Sequence, residues 1–562
     1  MTDPWTARSH FARWRSATLS PFEHRVFAAF WWASLASSFG SMIQTVGASW
    51  MMTTIASGPD MVALVQTASA LPFFFLSLLS GALADTRDRR IIMLASQVLA
   101  VAASAALAIV ALVGTITPTL LLGFTFLIGC GMAAFAPAWQ ASIADQVPRD
   151  LIPPAVMANA VGFNLARSIG PALGGIIVSA VGAAFAFVVN AVSYLGILAT
   201  LVWWRPKRPP ADLPPEPLAT AVAAGLRYVS LSPHLVAIQL RAVLFAVPMA
   251  AVPALMPVVA RDLLGGGAAT YGLLMGGFGV GAMLGALSSA TLRSRFTSDS
   301  LLRVLSAVGC LAMVGVGQSR WHGITLFSTV LAGTVWTLGF ATFNIAVQLS
   351  SPRWVTGRML ATYQTVTFAG IALGSWAWGE LASDTGLRQT LTLSGIASLV
   401  SLALARWLPI AVERMGSLDP RDRVALDPPS VEMHASTGPI VVAIEYRVPH
   451  SLAVEFAAVI NEVGRIRRRD GARAWSVSQD IDDLELWIER FESPTWLDYQ
   501  RLRTRPTQSD QVVRDRLLRL IAGEQSRVRR LVVRPPGAHP LGISIGESQE
   551  GGSLPGADHG RW

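Results

Sequence analysis

Apolar runs of membrane-spanning length recur along residues 26–409, and they decide what this chain can be. About 20 apolar residues in helical form cross the ~30 Å hydrocarbon layer of a bilayer. Twelve such runs are legible: roughly 26–50, 61–84, 90–113, 118–144, 155–179 and 182–204, then 234–260, 269–291, 300–318, 323–349, 356–382 and 388–409. Only 14% of the 562 residues are charged, where a soluble protein carries about a quarter. The reading is an all-α membrane region, with a smaller region of ordinary polarity behind it.

Charge gives the orientation. The net charge is +9, and residues 1–409 carry the whole excess, with 23 Lys+Arg against 13 Asp+Glu. That balance suits an anionic leaflet and does not point to nucleic acid. One set of alternate loops holds Arg87, Arg89, Arg90, Arg149, Arg205, Lys207, Arg208, Arg227, Arg293, Arg295, Arg303, Arg353 and Arg358, whereas the opposite set holds Arg261, Arg320 and Arg388. Positive loops stay cytosolic, so both termini are expected in the cytoplasm. The N-terminal arm, residues 1–25, has arginines but no separate apolar core, so it is not read as a signal peptide. Cys130 and Cys310 lie inside apolar runs and offer neither a disulfide framework nor a metal site.

The two halves repeat each other. Phe163-Asn164, Gly170, Ala172-Leu173-Gly174 align with Tyr363-Gln364, Gly370, Ala372-Leu373-Gly374 at an offset of 200 residues. Gly81-x-Leu83 and Pro148-Arg149 reappear as Gly285-x-Leu287 and Pro352-Arg353 at an offset of 204. Parallel half-repeats of this kind build transporters whose halves rock about a midplane site.

Between the second and third runs stands Gly81-Ala82-Leu83-Ala84-Asp85-Thr86-Arg87-Asp88-Arg89-Arg90. This loop resembles the loop-2/3 motif of the major facilitator superfamily (MFS), with Thr86 in place of the usual basic residue and Asp88 in place of the usual glycine. The phrases Gln44-Thr45-Val46-Gly47-Ala48-Ser49-Trp50-Met51, Pro137-Ala138-Trp139-Gln140 and Asn164 through Gly175 resemble its transmembrane secretion effector branch, which includes siderophore exporters and drug efflux proteins. The resemblance implies a twelve-helix MFS fold of two six-helix bundles in a bacterial inner membrane. It implies a proton-coupled exporter of a small organic molecule, a siderophore or a drug-like metabolite, with no cofactor.

It also assigns residues. Asp85 would face the N-terminus of the eleventh helix, whose dipole favours an anion. Arg89 would pair with Asp145, and Gly81 would let two helices close up, so that these four gate the cytosolic mouth. Gly-Pro-x-x-Gly-Gly resembles the fifth-helix antiporter motif, although Ala166 stands at one expected glycine. Gly170, Pro171 and Gly174 therefore read as a packed and bent helix segment. Arg167 lies about 18 Å of helix rise into the fifth run. A charge at that depth must face a partner or a wet cavity. Arg167 with Asn164, and beyond them Arg241, Gln44 and Gln364, are the candidate substrate-binding residues. Further intramembrane polar groups, Asn190, Gln239, Asn344 and Gln348, suit helix–helix hydrogen bonds equally. Glu380 is the candidate proton carrier, near the outer end of its run.

The regions expected are residues 26–204 and 234–409 as the two bundles, 205–233 as a linker with an amphipathic helix, and 410–438 as a second linker. Residues 439–536 form a soluble α+β domain and 537–562 a disordered end. The pattern of strands and helices in 439–536, βαββαβ, is ferredoxin-like. Such domains pair edge to edge, so a homodimer through this part is expected. A rival reading makes the chain a membrane-anchored sensor or enzyme working through that domain.

Overall fold

The computed structural model describes residues 20–86, 88–205, 218–352, 354–410, 418, 429–431, 433–521, 527–534 and 536, without the side chains of residues 82, 84–86, 218, 221 and 401. The N-terminal arm before residue 20, most of residues 410–438, and the expected disordered end lie outside them. The chain divides into two units, Met1–Leu418 and Asp419–Trp562.

Among the described residues, the elements of the first unit are all helices. Its first six long helices are α1 (Arg25–Ile55), α2 (Pro59–Thr86), α3 (Arg89–Val113), α4 (Pro118–Ser142), α5 (Ile152–Val181) and α6 (Ala183–Trp203). A short helix follows, α7 (Leu218–Ser230), then α8 (Pro233–Met249) and α9 (Ala251–Val258), which together with a π-helical turn at Val259–Leu263 make one rod. The rest are α10 (Ala268–Arg295), α11 (Ser298–Gln318), α12 (His322–Leu349), α13 (Thr356–Thr385) and α14 (Leu387–Leu404). Among the described residues, eleven helical segments are long and apolar enough to cross a membrane. The exception is α13: it has 30 residues but is interrupted by Gln364, Thr365, Thr367, Ser375, Glu380 and Asp384.

Local chemistry sets the breaks. Asp88 caps α3 by accepting from Arg90 N at 2.9 Å. Thr117 caps α4 ahead of Pro118. Gly182 and Gly386 close α5 and α13 with φ of +88° and +83°, a left-handed turn that favours glycine. They are 204 residues apart, which extends the internal repeat to the loops.

Packing repeats as well. A Cβ on Gly170 would fall 2.6 Å from Met42 Cβ, and one on Gly174 would fall 3.0 Å from Ile43 Cα. In the second half, a Cβ on Gly370 would fall 3.0 Å from Ala246 Cβ, and one on Gly374 would fall 2.9 Å from Val247 Cα. So α5 lies against α1 as α13 lies against α8. Between the halves, α2 runs along α13 and α5 along α10.

The second unit holds β1 (Ile440–Arg447), α15 (Ala453–Asp470), β2 (Arg473–Gln479), β3 (Leu486–Ser493), α16 (Trp496–Thr504), α17 (Gln508–Arg519) and β4 (Arg527–Val532). The sheet order is β2-β3-β1-β4, antiparallel at every pairing. Ile440, Val442, Ile444 and Tyr446 face the helices and form the core with Phe456, Ile460, Phe491 and Leu517. The second helix of the expected βαββαβ pattern is two helices. Pro506 cannot donate to the preceding turn, and Thr507 restarts the helix with a capping box to Asp510.

Candidate functional site

The gating residues sit where α2 ends and α3 begins. Asp85 is in the last turn of α2, but its side chain lies outside the described residues, as does Arg87 altogether. Arg89 Nη1 is 3.2 Å from Asp145 Oδ2 and also donates to the Ala141 carbonyl at 3.2 Å. Gly81 does not hold two helices in close approach: a Cβ there would meet Ala361 Cβ at 3.8 Å, an ordinary contact. Arg90, read simply as a cytosolic charge, donates to the carbonyls of Leu201 and Val202 at 2.8 and 3.0 Å. It thereby satisfies the open C-terminus of α6.

Arg241 is not on an open cavity face. It is fully buried, pairs with Asp299 at the start of α11, and donates to the Leu408 carbonyl at 3.3 Å. Sequence reading missed Asp299 because it sits in a loop-proximal turn, where carboxylates are ordinary. Removing one partner of a buried pair costs about 3–5 kcal/mol. We expect Arg241→Ala to lower the yield and melting temperature of the detergent-extracted protein. A variant as stable as the wild type would show that the pair holds nothing together.

Gln44 is buried within the first bundle. Its Oε1 accepts from Ser104 Oγ at 3.1 Å and from Asn190 Nδ2, and Asn190 also donates to Ser104 at 3.2 Å. That cluster ties α1, α3 and α6 together instead of lining a cavity. Glu380 is exposed on α13 and not sheltered. Asn164 is half-buried and donates back to the Ala160 carbonyl at 2.8 Å. α5 runs as one helix through Pro171; the glycines around it serve close packing.

Arg167 is half-buried, with its guanidinium carbon 5.7 Å from the centre of the Phe278 ring on α10. Phe278 meets Trp336 at 5.8 Å, Trp336 meets Phe340 at 4.8 Å, and Phe73 stacks on Phe368 at 4.5 Å. Trp336, Phe340 and Phe368 are partly buried around Ala70 and Ala246. Gln364 is half-buried one turn before Phe368. The structure thus groups Arg167 with aromatic side chains contributed by both halves. Sequence reading did not single out the phenylalanines, because a phenylalanine here looks like any lipid-facing phenylalanine in an apolar run.

Away from the Arg89–Asp145 end, the halves are joined tightly. Ser383 Oγ donates to Asp60 Oδ1 at 3.1 Å, Thr67 Oγ1 to the Ala372 carbonyl at 3.1 Å, and Ala269 N to Ser179 Oγ at 3.2 Å. Arg261 donates to the Thr53 carbonyl, and Trp50 stacks on Tyr271 at 6.5 Å. A Cβ on Gly175 would lie 2.8 Å from Gly272 Cα. This contact between α5 and α10 reaches Gly279, where a Cβ would lie 2.6 Å from Ser168 Cα. Exposed apolar residues run the length of both helices, from Val156 to Val181 on α5 and from Leu273 to Leu287 on α10. Arg167 lies beside the Gly279 contact of this seam. Among the described residues, no group of three His, Cys, Asp or Glu side chains could hold a metal.

The sequence profile described as "Transmembrane secretion effector" matches residues 16–536. An MFS-type transporter of Bacillus subtilis, YfiS, is 28% identical over 60% of this chain and 82% of its own length. The multidrug efflux pump Tap of Mycolicibacterium fortuitum is 24% identical over 67% of this chain and 94% of its own. Among solved structures, a bacterial homologue of the human lysosomal transporter Spinster covers 70% of this chain and 98% of its own, with a TM-score of 0.55 at 16% identity. The nucleoside transporter NupG covers 70% of this chain and all of its own, with a TM-score of 0.53 at 13% identity.

Proposed function

Because the chain belongs to the transmembrane secretion effector family of MFS transporters, we propose that it exports a small amphipathic organic molecule by alternating access. α13 serves as the twelfth crossing in this reading. It packs along α2 over its length, and its polar residues suit a helix beside a wet path better than one facing lipid. The membrane is the bacterial inner membrane, with the Arg89–Asp145 end in the cytoplasm, as the loop arginines require.

The observation that carries the reading is a seam between the halves that meets an arginine inside the helical bundle. Hydrogen bonds and glycine contacts join the halves at the end away from Arg89, and the glycine contacts reach Arg167, which lies beside an aromatic cluster. Aromatic faces suit a flat or apolar body, and a guanidinium suits an anionic or polar end. The multidrug efflux activity named for Tap supports export of drug-like molecules. A siderophore is a narrower choice within the same chemistry.

Coupling to protons needs a carboxylate in the moving parts. Asp60 fits better than the exposed Glu380, since it joins the halves through Ser383 at the closed end. We read the second unit as ferredoxin-like, a reading its β2-β3-β1-β4 order supports, and its edge strands β2 and β4 are where a second copy would add.

Reconstitution tests this. Full-length protein in proteoliposomes should move a fluorescent amphipathic drug, faster with an imposed pH gradient. A chain ending at Leu418 should keep most of that transport. No transport under either gradient would remove the exporter; transport lost only on truncation would favour the sensor reading of the second unit.

A further inference from the structure

We propose that Arg261 is the latch of the mouth away from Arg89: its guanidinium holds the end of α1 while that mouth is closed and lets it go when the mouth opens. The proposal rests on the transport reading and deepens it, but its test is read without substrate.

The latch is built where the internal repeat breaks. At the 204-residue offset, the end of α1 at Ile55 corresponds to Val259. The second half does not stop there. It runs on through the π-helical turn Val259–Leu263 and ends at Gly265, whose φ is +62°. Ser57 and Gly58 stand in the matching places of the first half, so Arg261 and Asp262 have no counterpart there. π-turns are rare and occur frequently at functional sites. This one brings Arg261 to the end of α1.

The guanidinium works on two sides. Nη1 donates across the halves to the Thr53 carbonyl, one of the last four of α1, which an α-helix leaves without a partner of its own. Nε and Nη2 donate to the Asp262 carboxylate at 2.6 and 3.1 Å, the two-bond grip that a planar guanidinium offers. The cation therefore sits between the C-terminal ends of two helical rods, where both dipoles favour it.

Asp262 makes the hold reversible. It belongs to the same half as Arg261, so the ion pair travels with that half and only the Thr53 bond is lost when the halves part. The two side chains are 36% and 43% exposed. Asp262 also borders an open recess of about 420 Å³, lined in addition by Pro59, Thr385 and Arg388, from which water replaces the lost bond. Arg241 is the contrast: fully buried against Asp299, it cannot part from its carboxylate without stranding a charge.

The reporter is the rate of disulfide formation between Ser179→Cys and Ala269→Cys, which join α5 to α10 at the same end, in full-length protein in nanodiscs. Arg261→Ala should slow it at least 3-fold, with yield and melting temperature close to wild type. Arg261→Lys should recover part of the rate, because an ammonium still donates to a carbonyl but lacks the planar grip on Asp262. Asp262→Asn should slow it less than Arg261→Ala, since Nη1 still reaches Thr53. Arg261→Gln takes the place of Arg261→Ala should that variant fail to fold. The proposal is overturned if the charge-removing variant cross-links at the wild-type rate, if Arg261→Lys does no better, or if melting temperature falls in step with the rate, the mark of an ordinary packing contact. A protein that moves no drug in proteoliposomes would remove the exporter and leave these rates readable.

Discussion

Gly279→Val is expected to cut transport at least 10-fold while leaving the protein in the membrane. The added side chain would meet the carbonyl oxygen of Arg167 and the Cα of Ser168. Both are backbone atoms, so no rotamer change relieves the clash. Overpacking of this kind costs about 1–3 kcal/mol. Here the helices can escape it by separating, so the cost falls on one conformation and not on the fold. A shift of that size changes the balance of two states roughly 5- to 150-fold. The direction is toward separation of α5 and α10 at the end away from Arg89. Disulfide formation between Ser179→Cys and Ala269→Cys, where Ala269 N now donates to Ser179 Oγ at 3.2 Å, should drop with the transport rate. Gly81→Ala is the control, since its Cβ finds Ala361 at 3.8 Å, and should change little. Equal transport and equal cross-linking in Gly279→Val would mean that the seam is not a moving part.

How far the sequence could be read follows from which interactions are periodic. Span positions were legible because each is a long apolar run; α13 was the marginal case, diluted by Gln364, Ser375 and Glu380. The repeat was legible at Gly170 and Gly370, and the structure shows why: both glycines sit where the next helix comes close. Pairings between distant segments were not legible. Asp299 gives no sign in the sequence that it holds Arg241, and Gln44 reads identically whether it faces a cavity or Asn190. Glu380 illustrates the same limit. Its depth could be counted from the run, but the face it occupies on α13 depends on what α13 packs against. The break at Pro506 was legible in principle, since Thr507 and Asp510 spell a capping box.

The two membrane arginines should separate structure from function. α5 begins at Ile152, so Arg167 lies about 22 Å along it at 1.5 Å per residue. Among the described residues it faces an aromatic ring and is in no ion pair, and a contact of that kind contributes about 0.5–2 kcal/mol. Arg167→Ala therefore removes little from the fold, and we expect yield and melting temperature close to wild type, unlike Arg241→Ala. Transport of an amphipathic anion should fall at least 10-fold, with the loss in apparent affinity if Arg167 touches the substrate. Arg167→Lys keeps the charge but not the planar group that stacks on a ring, so it should restore transport only in part. Phe278→Ala should weaken the same substrates, because the ring and the guanidinium are one surface. An Arg167→Ala protein that pumps normally, or that unfolds as Arg241→Ala is expected to, would place the substrate elsewhere in the bundle.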